Sequence, residues 1–279
     1  MKKRILCAIL AVMSMGILAS CKGGEESIPE GSPDASLPQE YTSDNPVVIA
    51  LAAYFEKKDI SYGKCAMVMD EAVAEDTEKQ PLVQSLELVF SQTDIELYEL
   101  MTNAVEMKKN GEVWSVNANG KTGETKQEGN VISMNCTYSE QVAEEGEEEL
   151  VTASYRNSVT YDNEKETIVA QVFMVPADGT SEVETAFMEC KKDGEAYIAQ
   201  YWYSTDEGEN YAIVRTIFDG NTIAYSVVDT QEKEDTKRKP DSILEMDTEQ
   251  IFEGADTVVR YDGSKVTINN EGKTYVLGE

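Results

Sequence analysis

Turn chemistry constrains this chain more than any other feature. X-Gly pairs punctuate it at Asn110-Gly111, Asn119-Gly120, Asp178-Gly179, Asp193-Gly194, Glu207-Gly208, Asp219-Gly220, Asp262-Gly263 and Glu271-Gly272. Asn-Gly and Asp-Gly supply the positive φ angles that tight hairpins require. Most of these pairs lie between runs rich in Val, Ile, Tyr, Phe and Thr. Short runs bounded by such turns read as strands paired with their sequence neighbours. The expected fold is therefore mainly β, an antiparallel meander preceded by one short helix.

Individual strands follow from this rhythm. Residues 167–175 are apolar on both faces and suit a central strand. Residues 196–203 and 211–218 form a hairpin around Glu207-Gly208, and 222–228 continue it. On the first of these, alternation puts Ile198 and Trp202 on one side and Tyr197, Tyr201 and Tyr203 on the other. On the second, Ala212, Val214 and Phe218 share a face opposite Tyr211, Ile213, Arg215 and Ile217. The last hairpin pairs Thr257–Tyr261 with Lys265–Asn269, and Lys273–Leu277 adds an end strand.

One helix is expected at the front of the domain. Asp44 or Asn45 caps it, and Pro46 suits its first turn. Val47, Ile49, Ala50, Ala53 and Tyr54 recur at helical spacing, and Lys57 and Lys58 close it where positive charge complements the dipole. From Ile60 the pattern turns to β. Residues 93–108 support two readings: a capping box at Thr93-Asp94-Ile95-Glu96 with an apolar stripe through Leu97, Met101, Ala104 and Val105, or a hairpin around Asn110-Gly111. The strand reading is preferred.

The N-terminus carries a different kind of information. Lys2, Lys3 and Arg4 precede an almost unbroken apolar run from Ile5 to Ile17. A membrane-spanning helix needs roughly 20 apolar residues, so this run reads as a secretory leader. It ends in Leu18-Ala19-Ser20-Cys21. This stretch resembles the bacterial lipoprotein signal family over residues 1–21. The resemblance implies a leader over 1–20, thioether lipidation of Cys21 and a location at the cell membrane, lipid-anchored on its extracytoplasmic face. Residues 21–45 carry Pro29, Pro33 and Pro38 among Gly, Ser and acids, with few large apolar side chains. Such a segment cannot offset its ordering entropy and reads as a flexible tether. Residues 46–279 form the β domain.

Composition excludes much chemistry. The formal charge is −29, and cleavage before Cys21 removes three more cations and no acid. Such a chain repels nucleic-acid backbones and anionic lipid head groups, so neither is expected as a partner. Histidine is absent, which rules out Ser-His-Asp triads and His-ligated zinc. A pair of carboxylates would suffice for glycoside cleavage, but among 53 acids no spacing singles one out. Cys65, Cys136 and Cys190 remain in the mature domain; one disulfide with a free thiol, or three buried thiols, are both compatible, and inert buried thiols are preferred. Asp162-Asn163-Glu164-Lys165-Glu166 alternates oxygens but lacks the Gly and frame of a calcium loop, and reads as a polar turn. The acidic run 144–149 and the charged run 231–240 read as solvated loops. No catalytic residue, metal ligand or cofactor site is assigned.

The tyrosines Tyr197, Tyr201, Tyr203 and Tyr211 are the speculative ligand face, with cross-strand packing as the plainer role. A helix followed by a long antiparallel sheet is similar in pattern to LolA-like and LppX-like lipoproteins, whose curved sheet holds an acyl chain. That resemblance carries no motif and transfers no residue. The expected function is non-enzymatic binding of an apolar envelope molecule. A structural or adhesive surface module that contacts another protein, and a carboxylate-pair glycosidase, are the alternatives.

Overall fold

The computed structural model describes residues 43–143, 150–175, 182–204, 211–228, 239–270 and 272–278. The leader, Cys21, most of the tether, the 144–149 and 231–238 runs and the turns at Asp178-Gly179 and Glu207-Gly208 lie outside them. Two helices, α1 (Pro46–Glu75) and α2 (Gln80–Val105), precede strands β1 (Lys108–Asn110), β2 (Val113–Ala118), β3 (Lys121–Glu128), β4 (Val131–Ala143), β5 (Leu150–Asp162), β6 (Thr167–Val175) and β7 (Val183–Asp193). The chain continues through β8 (Ala196–Ser204), β9 (Tyr211–Phe218), β10 (Ile223–Val228), β11 (Thr257–Tyr261), β12 (Val266–Asn270) and β13 (Lys273–Leu277). All thirteen strands form one sheet, in sequence order and antiparallel throughout. The meander expected from the turns is present. Gly111, Gly120, Gly194, Gly220, Gly263 and Gly272 all hold positive φ. Residues 162–166 form the turn between β5 and β6, where Asp162 Oδ1 accepts from the backbone of Glu164 and Lys165.

The helical part departs from expectation. The first helix is not short: it runs 30 residues, to Glu75, so 60–75 is helix and not β. Its start is as expected, with Pro46 in the first turn and the Asn45 side chain accepting from Val47 N at 3.1 Å. Lys58 does not end it. The side chain turns inward, fully buried, and donates to Thr93 Oγ1 of α2 at 2.9 Å. Residues 93–105 belong to α2, which overturns the strand preference; the hairpin at Asn110-Gly111 nevertheless forms directly after it.

Both helices cover one face of the sheet. A helix of 30 residues is about 45 Å long, comparable to the width of nine or ten strands at about 4.8 Å each. Contacts along α1 follow that crossing in order. Asn45 Nδ2 reaches Thr125 Oγ1 of β3 and the Ala104 carbonyl of α2. Lys57 meets Glu195 in the β7–β8 turn, and Ser61 and Lys64 hold Gly220 in the β9–β10 turn. Val68 lies against Gly278, beyond β13.

Between these layers lies one continuous core, from Trp114 on β2 to Leu277 on β13. It includes Tyr54, Phe55, Met69, Leu97, Leu100 and Met101 from the helices. Burial of this apolar face is the main favourable term in folding, at about 25 cal/mol per Å². The opposite, outer face of β7–β9 is covered by residues 239–254, whose two short 3₁₀ turns seat Ile243 and Ile251 on Ile198.

Candidate functional site

The four predicted tyrosines do not share a surface. Registers Tyr201↔Val214, Tyr203↔Ala212 and Ser204↔Tyr211 place Tyr197, Tyr201 and Tyr203 on the helix side and Tyr211 on the outer side. Tyr211 stacks on Trp202 with ring centroids 4.1 Å apart and donates to the Glu184 carbonyl at 3.1 Å. Tyr201, Tyr203 and Tyr211 are all buried, so the set is not an exposed aromatic patch. Tyr197 packs against Tyr54 and Phe218, which is the plainer role considered for it.

Two openings lie on the helix side; Tyr197 lines one, Tyr201 and Tyr203 the other, and Tyr211 neither. The larger is a groove of about 420 Å³ between the first turns of α1 and the strands beneath. Small ligands commonly fill pockets of about 300–1,000 Å³. Pro46, Ile49, Ala50 and Ala53 form its helical wall, and Ile132 and Ile168 contribute from the sheet. Ile49 is 58% exposed there, an apolar side chain left open to solvent. The polar margin comes from Gln127, Tyr161, Asn163, Glu166, Lys192 and Tyr197. Lys192 and Glu166 are ion-paired at 2.8 Å, which holds the Lys192 ammonium above its usual pKa. Burial pushes the Tyr197 phenol up, so it stays protonated and able to donate. Glu166 is the one carboxylate among the groove's lining residues. Glycosidase chemistry needs two, about 5–9.5 Å apart, so this groove does not supply that constellation.

The second is a small hollow of about 20 Å³ between α2 and strands β6–β8. That is room for about one water. Thr93, Leu97 and Leu100 cover it; Ala170, Val172, Ala186, Met188, Tyr201 and Tyr203 form its base. Small residues at 170 and 186 leave the space, and a register shift at Val172/Phe173 lies beside it. Bulges of this kind re-aim side chains and recur next to functional sites. The Tyr201 hydroxyl is buried with no hydrogen-bond partner among the described residues. Lys58 Nζ stands 5.4 Å from the Tyr201 ring centroid. Sequence reasoning singled out Tyr201 and Tyr203 but missed Lys58 and Thr93. Their pairing depends on α2, which local periodicity did not deliver.

Among the described residues, the cysteines contribute no reactive group. Cys65, Cys136 and Cys190 are buried free thiols. Burial raises Cys65 to about 12 and Cys136 to about 11, and moves Cys190 further still, so the nucleophilic thiolate is suppressed in each. Among the described residues no three metal-ligating side chains converge, and no helix is long and apolar enough to cross a membrane. Comparison of the chain with protein-family models, curated proteins and solved structures finds no match.

Proposed function

We propose that this protein is a lipid-anchored, non-enzymatic binding protein of the extracytoplasmic membrane face, and that its ligand is an apolar or amphiphilic envelope molecule. Acylated Cys21 places the β domain beside a bilayer, where such molecules are concentrated; each buried methylene of an anchor contributes about 0.8 kcal/mol. The observation that carries the reading is the groove beside α1. It combines an aliphatic wall, including the exposed Ile49, with a rim of hydroxyl, amide and paired charged groups. An amphiphile matches that division: its apolar part covers Ile49, Ala50 and Ala53, and its polar part meets Tyr161, Asn163 and Lys192.

Purified mature protein, extracted with organic solvent and assayed by mass spectrometry, is expected to yield an apolar compound in near-stoichiometric amount. Ala53→Trp, which fills the groove, should reduce that yield several-fold. A clean protein with no co-purifying apolar compound, and no uptake of one from vesicles, would contradict the reading.

A further inference from the structure

The groove beside α1 divides evenly: six of its twelve lining residues are apolar and six are polar. The apolar half, with Ile49, Ala50 and Ala53 on α1, suits a hydrocarbon chain. The polar half selects the head group, and its two charges cancel. Lys192 Nζ and Glu166 Oε1 are paired at 2.8 Å, and Lys192 N donates to the Glu166 carbonyl at 3.1 Å. Glu166 reaches this position with a φ of 50°, in the left-handed region that non-glycine residues seldom adopt. Backbone and side chain together fix the pair at the rim. An anionic head group here meets Glu166 and competes with it for Lys192; a cationic one meets Lys192 and competes for Glu166. The formal charge of −29 further disfavours an anion. The other polar groups mix donors with acceptors. Tyr161 donates to Asn163 Oδ1 at 3.2 Å, which leaves the Asn163 amide nitrogen as a donor. Gln127 Nε2 donates to the Gly129 carbonyl at 3.1 Å, which leaves the Gln127 amide oxygen as an acceptor. The Tyr197 ring is held by Tyr54 and Phe218, and its hydroxyl makes no hydrogen bond to another described residue. A hydroxyl group both donates and accepts, so several hydroxyls on one small ring satisfy such a mixed rim without breaking the ion pair.

We infer that the groove holds an uncharged saccharide head group carried on a hydrocarbon chain. This rests on the binding reading above and names its ligand class. The sugar hydroxyls bridge Lys192 and Glu166, accept from Asn163 and exchange a bond with Tyr197. Bonds to the paired ammonium and carboxylate are charge-assisted and stronger than neutral ones. The chain runs along α1 and covers Ile49, which is otherwise 58% exposed. The aliphatic half of the lining favours a chain-bearing sugar over a free one.

The test uses the full lipidated protein in phosphatidylcholine nanodiscs and four dodecyl probes with the same photoreactive chain: glucoside, alcohol, phosphate and trimethylammonium. Cross-links are mapped by mass spectrometry. The glucoside is expected to label Ile49, Ala50 and Ala53 about tenfold more than each of the others, the ratio that one or two net hydrogen bonds supply. Tyr197→Phe should lower glucoside labelling several-fold while circular dichroism is unchanged. Glu166→Gln leaves a lone ammonium and should shift the preference to the phosphate; Lys192→Met leaves a lone carboxylate and should shift it to the trimethylammonium. A merely structural ion pair would produce neither shift. Full displacement of the glucoside by an equal concentration of methyl glucoside would overturn the chain-bearing ligand in favour of a free sugar. Equal labelling by glucoside and alcohol, or a wild-type preference for either charged head, would overturn the saccharide while leaving an apolar-ligand function standing. Absence of groove labelling by every probe in folded protein would overturn both.

Discussion

The two faces of the sheet solve the same problem differently. On the outer face, every polar group under residues 239–254 that anchors this segment has a matched partner. Glu189 accepts from Ser242 Oγ and Ile243 N, both at 3.0 Å. Arg215 bridges Gln200 at 2.7 Å and the Ile251 carbonyl at 3.2 Å, and Lys191 reaches the carbonyls of Leu244 and Met246. On the helix face, Tyr54, Asn157, Tyr201 and Thr216 each bury polar side-chain atoms without a hydrogen-bond partner among the described residues. Buried polar groups in folded proteins are nearly always paired, and departures call for an explanation. A matched clamp is built for permanence. A face with unpaired donors is built at a cost to stability, which a ligand's acceptors can offset.

The sharpest way to break this contrast is to damage each face in turn. Phe218 is fully buried against Tyr54 and Tyr197 at centroid distances of 5.3 and 5.6 Å. Phe218→Ala should lower unfolding free energy by about 3–5 kcal/mol, read by chemical denaturation. Next is Glu189→Ala, which strands a buried backbone N–H. It should cost about 2 kcal/mol and raise hydrogen exchange in 239–254 while α1 keeps its protection.

A pH effect separates the faces further. Glu87, on α2, is raised from the usual 4.5 to about 7, chiefly by burial and then by Asp70. Its folded form holds a proton that the unfolded chain releases near pH 4.5. The contribution to stability is therefore whole below that pH, declines as pH rises toward 7 and is gone above it. Wild-type protein should lose stability between pH 5 and 8 relative to Glu87→Gln, and paired denaturation curves would show that slope; a slope identical in the two proteins would remove Glu87 as its source. The smallest effect is expected at Tyr201. Removing a hydroxyl that makes no bond costs little, so Tyr201→Phe should stay within about 1 kcal/mol of wild type or exceed it. A loss like that of Glu189→Ala would show the hydroxyl to be paired and erase the contrast.

What the sequence conveyed follows the range of the interactions. Hairpin turns are local, so Gly111, Gly120, Gly194, Gly220 and Gly263 announced their strands correctly. Helix length was not local. Lys57 and Lys58 read as end charges because last-turn lysines are common, but their partners, Glu195 and Thr93, lie far along the chain. From Ile60 the pattern read as β, and packing against the sheet overrode that reading through Glu75. At 93–108 both signals were real. The helix ends at Val105, and the hairpin begins at Lys108, so two elements were weighed as one. Alternation along 196–203 and along 211–218 was correct within each strand. Only the register Ser204↔Tyr211 related the two, and it sent Tyr211 to the Trp202 side. The groove and cavity need α1 and α2 set over distant strands, which no spacing encodes.

Hydrogen exchange of the mature protein with and without palmitic acid tests the difference between the faces most directly. With the acid, amides of the first turns of α1, over Val47–Ala53, should gain protection as the groove fills, while residues 239–254 stay unchanged. Unaltered exchange in α1 at saturating acid, or an equal change across both faces, would contradict a helix side open to a ligand.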